Sequence, residues 1–357
     1  MNLRDIFTGD CKRQQLVFNE SDYIMKRNSS ITLLRVIAVS LVIFTHICQM
    51  LNWVTIRSFT FGVPLFLLIS GYLYGSKKIT DFKAFFIGRW EKIIIPVWIY
   101  ELFVFIYSSA FLKAAPTAGD VIVQLLNLQG VQNVFLKSSI YPFPSCEILW
   151  YTTIIMFCYF LVPFLQRIHQ GKHLLLWFIA ASLTTAGLVF AGIRLDYFFV
   201  FSVGYFLPVL QKKIGKRKVA LWSFIVAFVA GAIRLLTRKM IDGTVFYDEL
   251  VATVSVNSLA FFVFSLVFYL EEKWSHIIES IGTNKIIVWL DGISFYLYMT
   301  HYLFFKGFWN VRNYIGGAVP QIILMVVFGV LLALPFKFLI DKMLKLKFME
   351  KIRRPSK

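Results

Sequence analysis

From residue 31 onward the chain alternates long apolar runs with short charged interruptions. The runs fall at roughly 31–51, 60–75, 93–112, 147–168, 173–192, 194–210, 219–237, 250–270, 285–306 and 319–340. A helix needs about 20 apolar residues to cross the hydrocarbon core of a bilayer, so the pattern predicts ten crossings, of which the second and sixth are the shortest. Outer-membrane strands would show much shorter segments of alternating polarity. Long uninterrupted runs are instead helices, which close their backbone hydrogen bonds within each segment. The predicted fold is therefore an all-α integral membrane protein, a bundle of about ten transmembrane helices.

Composition agrees. The 357 residues are 58% hydrophobic and only 16% charged, where soluble chains are about 45–50% apolar. The formal net charge of +18 changes the picture only in its distribution. With the amino terminus inside, 26 of the 37 lysines and arginines fall in cytoplasmic segments, 8 in external ones, and Arg35, Arg234 and Lys337 within spans. That asymmetry is the positive-inside pattern, so both termini are predicted to be cytoplasmic and the basic clusters to face anionic lipid headgroups. Nucleic acid is not implied. The predicted organisation is a cytosolic tail at 1–30, a transmembrane domain at 31–340 and a basic cytosolic tail at 341–357, in a multi-pass protein of the cell membrane. Polar residues 1–30 and a first apolar run long enough to remain as an anchor give the expectation of no cleavable signal. Four cysteines without paired spacing give no disulfide or zinc framework, and no metal site is expected.

Charged and polar side chains within spans are the informative ones, because each costs at least about 2.5–3.5 kcal/mol at mid-membrane. In the first span Arg35 and His46 are eleven residues apart, which brings them within about 20° of one helix face and about 16 Å apart along the axis. Thr32, Thr45 and Gln49 extend this stripe. In the ninth span Asp291, Ser294, Tyr298 and His301 follow at steps of three, four and three, within roughly 80° of one another. Both stripes admit a plain structural reading, with Arg35 snorkelling to the headgroups and the rest forming interhelical hydrogen bonds. They also admit a chemical one, since histidine is the side chain suited to proton transfer near neutral pH. Ser70 and Gly71 interrupt an apolar helix and are read as a close helix contact. Arg89 and Lys92 precede Pro96, taken as the start of the third span, and suit either phosphate binding or charge asymmetry. Glu147, at the start of the fourth span, either orients a histidine or faces water.

These residues together resemble the membrane acyltransferase family 3. The Arg35 to His46 spacing carries the likeness most specifically. The VPLFLLISGYL segment with Ser70 and Gly71, the basic pair Arg89 and Lys92, the LWYTT stretch at Trp150 and Tyr151, and the ISFYLYMTH segment ending at His301 follow in order. The second basic residue is a lysine where members commonly carry arginine, and lysine lacks the bidentate fork. No esterase-like domain of the kind that some members append follows the tenth span, so the expectation is a stand-alone enzyme or one that hands its product to no tethered partner.

The resemblance implies an O-acyltransferase that moves an acyl group, by default acetyl, from acyl-CoA (acetyl-CoA) to a saccharide hydroxyl of a surface polysaccharide or lipid-linked sugar. It has no permanently bound cofactor. His46 and Arg35 would be catalytic, His46 as general base, with Arg35, Arg89 and Lys92 engaging donor phosphates. Ser70, Glu147, Asp291, Ser294, Tyr298 and His301 would support the acceptor or the transition state, and a covalent acyl-enzyme on Ser70 or Ser294 stays open. The competing class is a transporter or flippase for a lipid-linked glycan, although no matched pair of interrupted helices marks an inverted repeat. A purely structural scaffold leaves the polar stripes without a use.

Overall fold

The computed structural model describes residues 28–53, 60–75, 77–131, 144–169, 174–191, 193–241, 243–244 and 246–344. Most of the predicted tails 1–30 and 341–357, and the loop around Pro142, lie outside the described residues. Among the described residues, each predicted apolar run is helical over most of its length. In chain order the helices are α1 (Ser29–Met50), α2 (Gly62–Gly75), α3 (Phe82–Phe111), α4 (Ala118–Leu125), α5 (Trp150–His169), α6 (Leu174–Phe190), α7 (Asp196–Ile214), α8 (Lys216–Ile241), α9 (Ala252–Lys273), α10 (Ser275–Thr283), α11 (Lys285–Phe305) and α12 (Ala318–Leu344). The short helices α4 and α10 lie in connections that the apolar pattern does not single out. No strand occurs among the described residues.

Six of the described helices, α1, α3, α5, α8, α9 and α12, are long and apolar enough to cross a membrane by length and composition. That is fewer than the ten predicted crossings, and the reasons are physical. With 14 residues, α2 reaches about 21 Å, short of a hydrocarbon core of about 30 Å. The apolar part of α6 is also below full span length. In α11 the stripe from Asp291 to His301 dilutes an otherwise sufficient run of 21 residues, and in α7 Gln211, Lys212 and Lys213 at the end do the same to a run of 19 residues.

Helix starts follow their caps. The Asn28 side chain accepts from the Ile31 amide at 3.0 Å and opens α1, and Asp81 accepts from the Ala84 amide at 2.9 Å and opens α3. The second cap corrects the predicted start at 93. Pro96 lies inside α3, where a membrane helix tolerates it, and Arg89 and Lys92 therefore sit on the helix itself.

At the centre, α1 packs against α2 and α11, and α11 against α12. The Thr300 hydroxyl donates to the Gly329 carbonyl across the α11–α12 contact at 2.7 Å. Peripheral α8 turns apolar side chains outward, with Leu235 72% and Leu236 77% exposed, as a lipid-facing helix does. The two polar stripes thus lie face to face in the interior.

Candidate active site

The stripes of α1 and α11 meet at two levels. At the Arg35 level, the Arg35 guanidinium lies 3.6 Å from the Asp291 carboxylate, whose side chain is 2% exposed. The Ser294 hydroxyl donates to the Asp291 backbone carbonyl at 2.9 Å. A buried carboxylate needs such a partner, so this pair locks α11 against α1. About three turns further along, the His46 and His301 rings lie 5.3 Å apart between centroids. His46 is also flanked by Tyr302, edge-on at 5.2 Å, and by Phe305 at 4.8 Å.

Hydrogen bonding fixes the chemistry of both imidazoles. His46 Nδ1 is 3.0 Å from the Gln49 side-chain carbonyl oxygen. With that oxygen accepting, Nδ1 is the donor, and in the neutral ring Nε2 then keeps a lone pair. His301 Nδ1 likewise donates to the Leu297 backbone carbonyl at 2.8 Å. Its buried Nε2 has no hydrogen-bond partner among the described residues. Gln49, which the sequence reading places only in the α1 stripe, is thus the group that orients His46.

Two cavities open along the stripes. One, of about 290 Å³, is lined by Arg35, Ser70, Arg89, Asp291, Ser294 and Tyr298 together with apolar and aromatic side chains. The other, of about 350 Å³, is lined by Thr45, His46, Gln49, Trp150, Arg194, Tyr197, Arg234, Asn257 and again Tyr298, among others. Tyr298, buried and donating its hydroxyl to the Ile148 carbonyl, is the residue of the two stripes that borders both. The two stripes thus border a pair of chambers that share Tyr298 in their walls.

This arrangement redistributes the predicted support residues. Ser70, Asp291 and Ser294 line the Arg35 chamber rather than the one with His46. Arg89 joins them, held by a hydrogen bond to the Tyr74 hydroxyl with its guanidinium 5.6 Å from the centre of the Tyr74 ring. Lys92, predicted as its partner, is exposed and lines neither chamber. Its neighbour three residues back points inward, so the helix separates the basic pair. Glu147 touches neither histidine. It accepts from the Tyr302 hydroxyl at 2.7 Å and pairs with Lys306 at 3.4 Å, reaching His46 only through the Tyr302 ring.

Several lining residues escape the sequence reading. Arg194 and Tyr197 straddle the start of α7, where their short connection reads as an ordinary loop. Arg194 forks onto Asp196 through Nε at 2.9 Å and Nη2 at 3.1 Å. Arg234 carries a signal in the sequence, a charge within an apolar run, but nothing there says which way it faces. It is buried, at 6% exposure.

Comparison with known proteins gives one match. The family described as an acyltransferase domain, family 3, matches residues 28–340, whereas no curated protein and no solved structure matches the chain. The match covers the described helices α1 to α12 apart from the end of α12, and with six described apolar helices of spanning length it points to a multi-pass membrane protein. The chain belongs to the membrane acyltransferase family 3.

Proposed function

We propose that the protein transfers an acyl group, acetyl by default, from acyl-CoA to a hydroxyl of a cell-surface or lipid-linked saccharide, with His46 as general base. One observation supports this reading: a chamber lined by Arg35 and Arg89 and a chamber lined by His46 both border Tyr298. Acyl transfer between two substrates needs two such sites, one for a polyanionic donor and one for a hydroxyl.

The donor's phosphates engage Arg35 and Arg89 by charge-assisted hydrogen bonds, and the pantetheine arm extends toward the Tyr298 wall. His46 Nε2 takes the proton of the acceptor hydroxyl as its oxygen attacks the thioester carbonyl. The carbon–sulfur bond then breaks, and the imidazolium returns the proton to the departing thiolate of CoA. Atoms and charge balance without a covalent acyl-enzyme. The reading includes ten spans with both termini cytoplasmic, with α2, α6, α7 and α11 completing the bundle, so that donor enters from the cytoplasm of the inner or plasma membrane and the His46 end lies toward the outside. The charge asymmetry of the loops supports this orientation.

The test uses purified full-length protein in lipid nanodiscs with acetyl-CoA and a saccharide acceptor. Release of free CoA thiol together with an acetyl increment on the saccharide by mass spectrometry is expected. Saccharide movement across vesicles with no acylation would favour a transporter instead. The donor chamber makes a second prediction. Arg89→Gln is expected to raise the KM for acetyl-CoA by about tenfold, the loss of one charge-assisted hydrogen bond, with kcat little changed. Lys92→Gln, outside the chamber, should leave both constants near wild type. Equal effects at the two positions in steady-state kinetics would remove Arg89 from the donor site.

A further inference from the structure

The mechanism leaves one buried group without a use. His301 is fully buried and lines neither chamber, so it meets neither substrate directly. Its Nδ1 donates to the Leu297 carbonyl, which leaves Nε2 of the neutral ring as a lone pair. Among the described residues that lone pair meets no donor. A buried acceptor left without a partner costs about 1–3 kcal/mol, and native interiors hold few of them, each in need of a reason.

The fold presses this ring against His46. A Cβ added to Gly329 on α12 would fall 3.2 Å from the His301 Cα and 3.3 Å from its Cβ, and the Thr300 hydroxyl next to it donates to the Gly329 carbonyl. The main chain at His301 therefore has no room to retreat from α1. On its other side the ring packs on that of His46, with centroids 5.3 Å apart and planes tilted by 35°. Tyr298 and Tyr302 flank it at 6.4 and 6.2 Å, but both hydroxyl protons are committed, to the Ile148 carbonyl and to Glu147.

A partner of this kind is useful to His46 only while it carries the proton of the acceptor. As a neutral ring His46 donates through Nδ1 to Gln49. As an imidazolium it holds a second N–H and a full charge inside the bundle, where charge is costly. Lys306 repels that charge and is itself paired with Glu147 at 3.4 Å. Of the rings packed on His46, Phe305 is apolar and Tyr302 gives its proton to Glu147, so the lone pair of His301 is the acceptor still open among them.

We infer that His301 is a positioning residue for the general base, its Nε2 lone pair stabilising the imidazolium that His46 becomes in mid-reaction. No proton moves to His301. The acceptor proton goes to His46 Nε2 and on to the CoA thiolate, and the His301 proton stays on Nδ1. An interaction made in the transition state and not at rest raises kcat, which accounts for a buried acceptor left open in the resting protein. The inference rests on the acyltransferase reading with His46 as base.

Three substitutions test it in purified full-length protein in nanodiscs, with acetyl-CoA and the saccharide acceptor. His301→Leu is expected to lower kcat about 10- to 100-fold, the worth of one hydrogen bond to a charged group, with the KM for acetyl-CoA little changed. Its melting temperature should be at or above that of wild type, because an orphaned acceptor has left the interior. The amide of glutamine places an acceptor near the position of Nε2, and that of asparagine near the position of Nδ1. His301→Gln is therefore expected to recover part of the lost kcat and His301→Asn to recover little. A group that serves packing alone would instead lose stability and activity together, with no advantage for glutamine. Wild-type kcat in His301→Leu, a melting temperature that falls in step with kcat, or equal activity of the glutamine and asparagine variants overturns the inference and leaves the acyltransferase reading in place. Absence of acyl transfer by the wild-type protein overturns that reading, and the inference with it.

Discussion

Replacing His46 with alanine is expected to lower the rate of acyl transfer by about 10²–10⁴-fold, the typical contribution of a positioned general base. The protein should still reach the membrane and elute as wild type, because His46 is not a keystone of packing. It is partly exposed to a chamber, and its side chain hydrogen-bonds to Gln49 on its own helix. The loss should appear at saturating acyl-CoA, which separates it from the KM effect expected at Arg89. Gln49→Leu offers a graded version. Without the carbonyl that holds the Nδ1 proton, the ring samples the wrong tautomer and orientation, and kcat should fall by less than in His46→Ala. A His46→Ala protein that acylates its acceptor at the wild-type rate, in membranes with equal amounts of protein, would remove the base assignment.

The elements of this site differ in how far they can be read from residues alone. The Arg35 to His46 stripe and the Asp291 to His301 stripe are visible because rotation per residue is constant along one helix, so a shared face follows from spacing. That the two faces meet, with Arg35 on Asp291 and His46 beside His301, is also foreshadowed, since an ion pair and a buried imidazole need an interior to face. The division by Tyr298 is not. Whether a residue lies at the level of a chamber or of the wall between chambers depends on how neighbouring helices are offset along their axes, and no periodicity within one helix encodes that offset. The same limit hides Arg194 and Tyr197. They join His46 through α7, which is remote in sequence and reaches the site by packing on α2. Pro96 misleads for another reason. Proline at a helix start and proline tolerated within a membrane helix look alike in sequence, and only the Asp81 cap resolves them.

Because α2 carries lining residues of both chambers, its contact with α7 governs the whole site, and this contact allows no added atom. A Cβ on Gly71 would fall 2.1 Å from the Phe201 carbonyl oxygen, and one on Gly75 would fall 1.9 Å from that of Tyr205. From the other side, a Cβ on Gly204 would fall 2.4 Å from the Leu68 carbonyl oxygen. Gly71 and Gly75, four residues apart, form the small-residue face that lets membrane helices approach closely. The obstacles are backbone atoms, so no side chain can rotate away, and the helices must separate. Overpacking typically costs about 1–3 kcal/mol and sometimes more, and here the upper end applies, since lipid supplies no hydrophobic drive to reunite the helices. Gly71→Val is therefore expected to lower the yield of monodisperse protein in detergent and its melting temperature. Gly187→Val, at a helical glycine with nothing within 4 Å of an added Cβ, should leave both intact. Separation would also shift Ser70 in one chamber and Val63 and Pro64 in the other, so whatever Gly71→Val protein survives should lose donor and acceptor binding together. Equal stability of the two variants would show that α2 and α7 do not owe their spacing to these glycines, and the two-chamber geometry would then need another support.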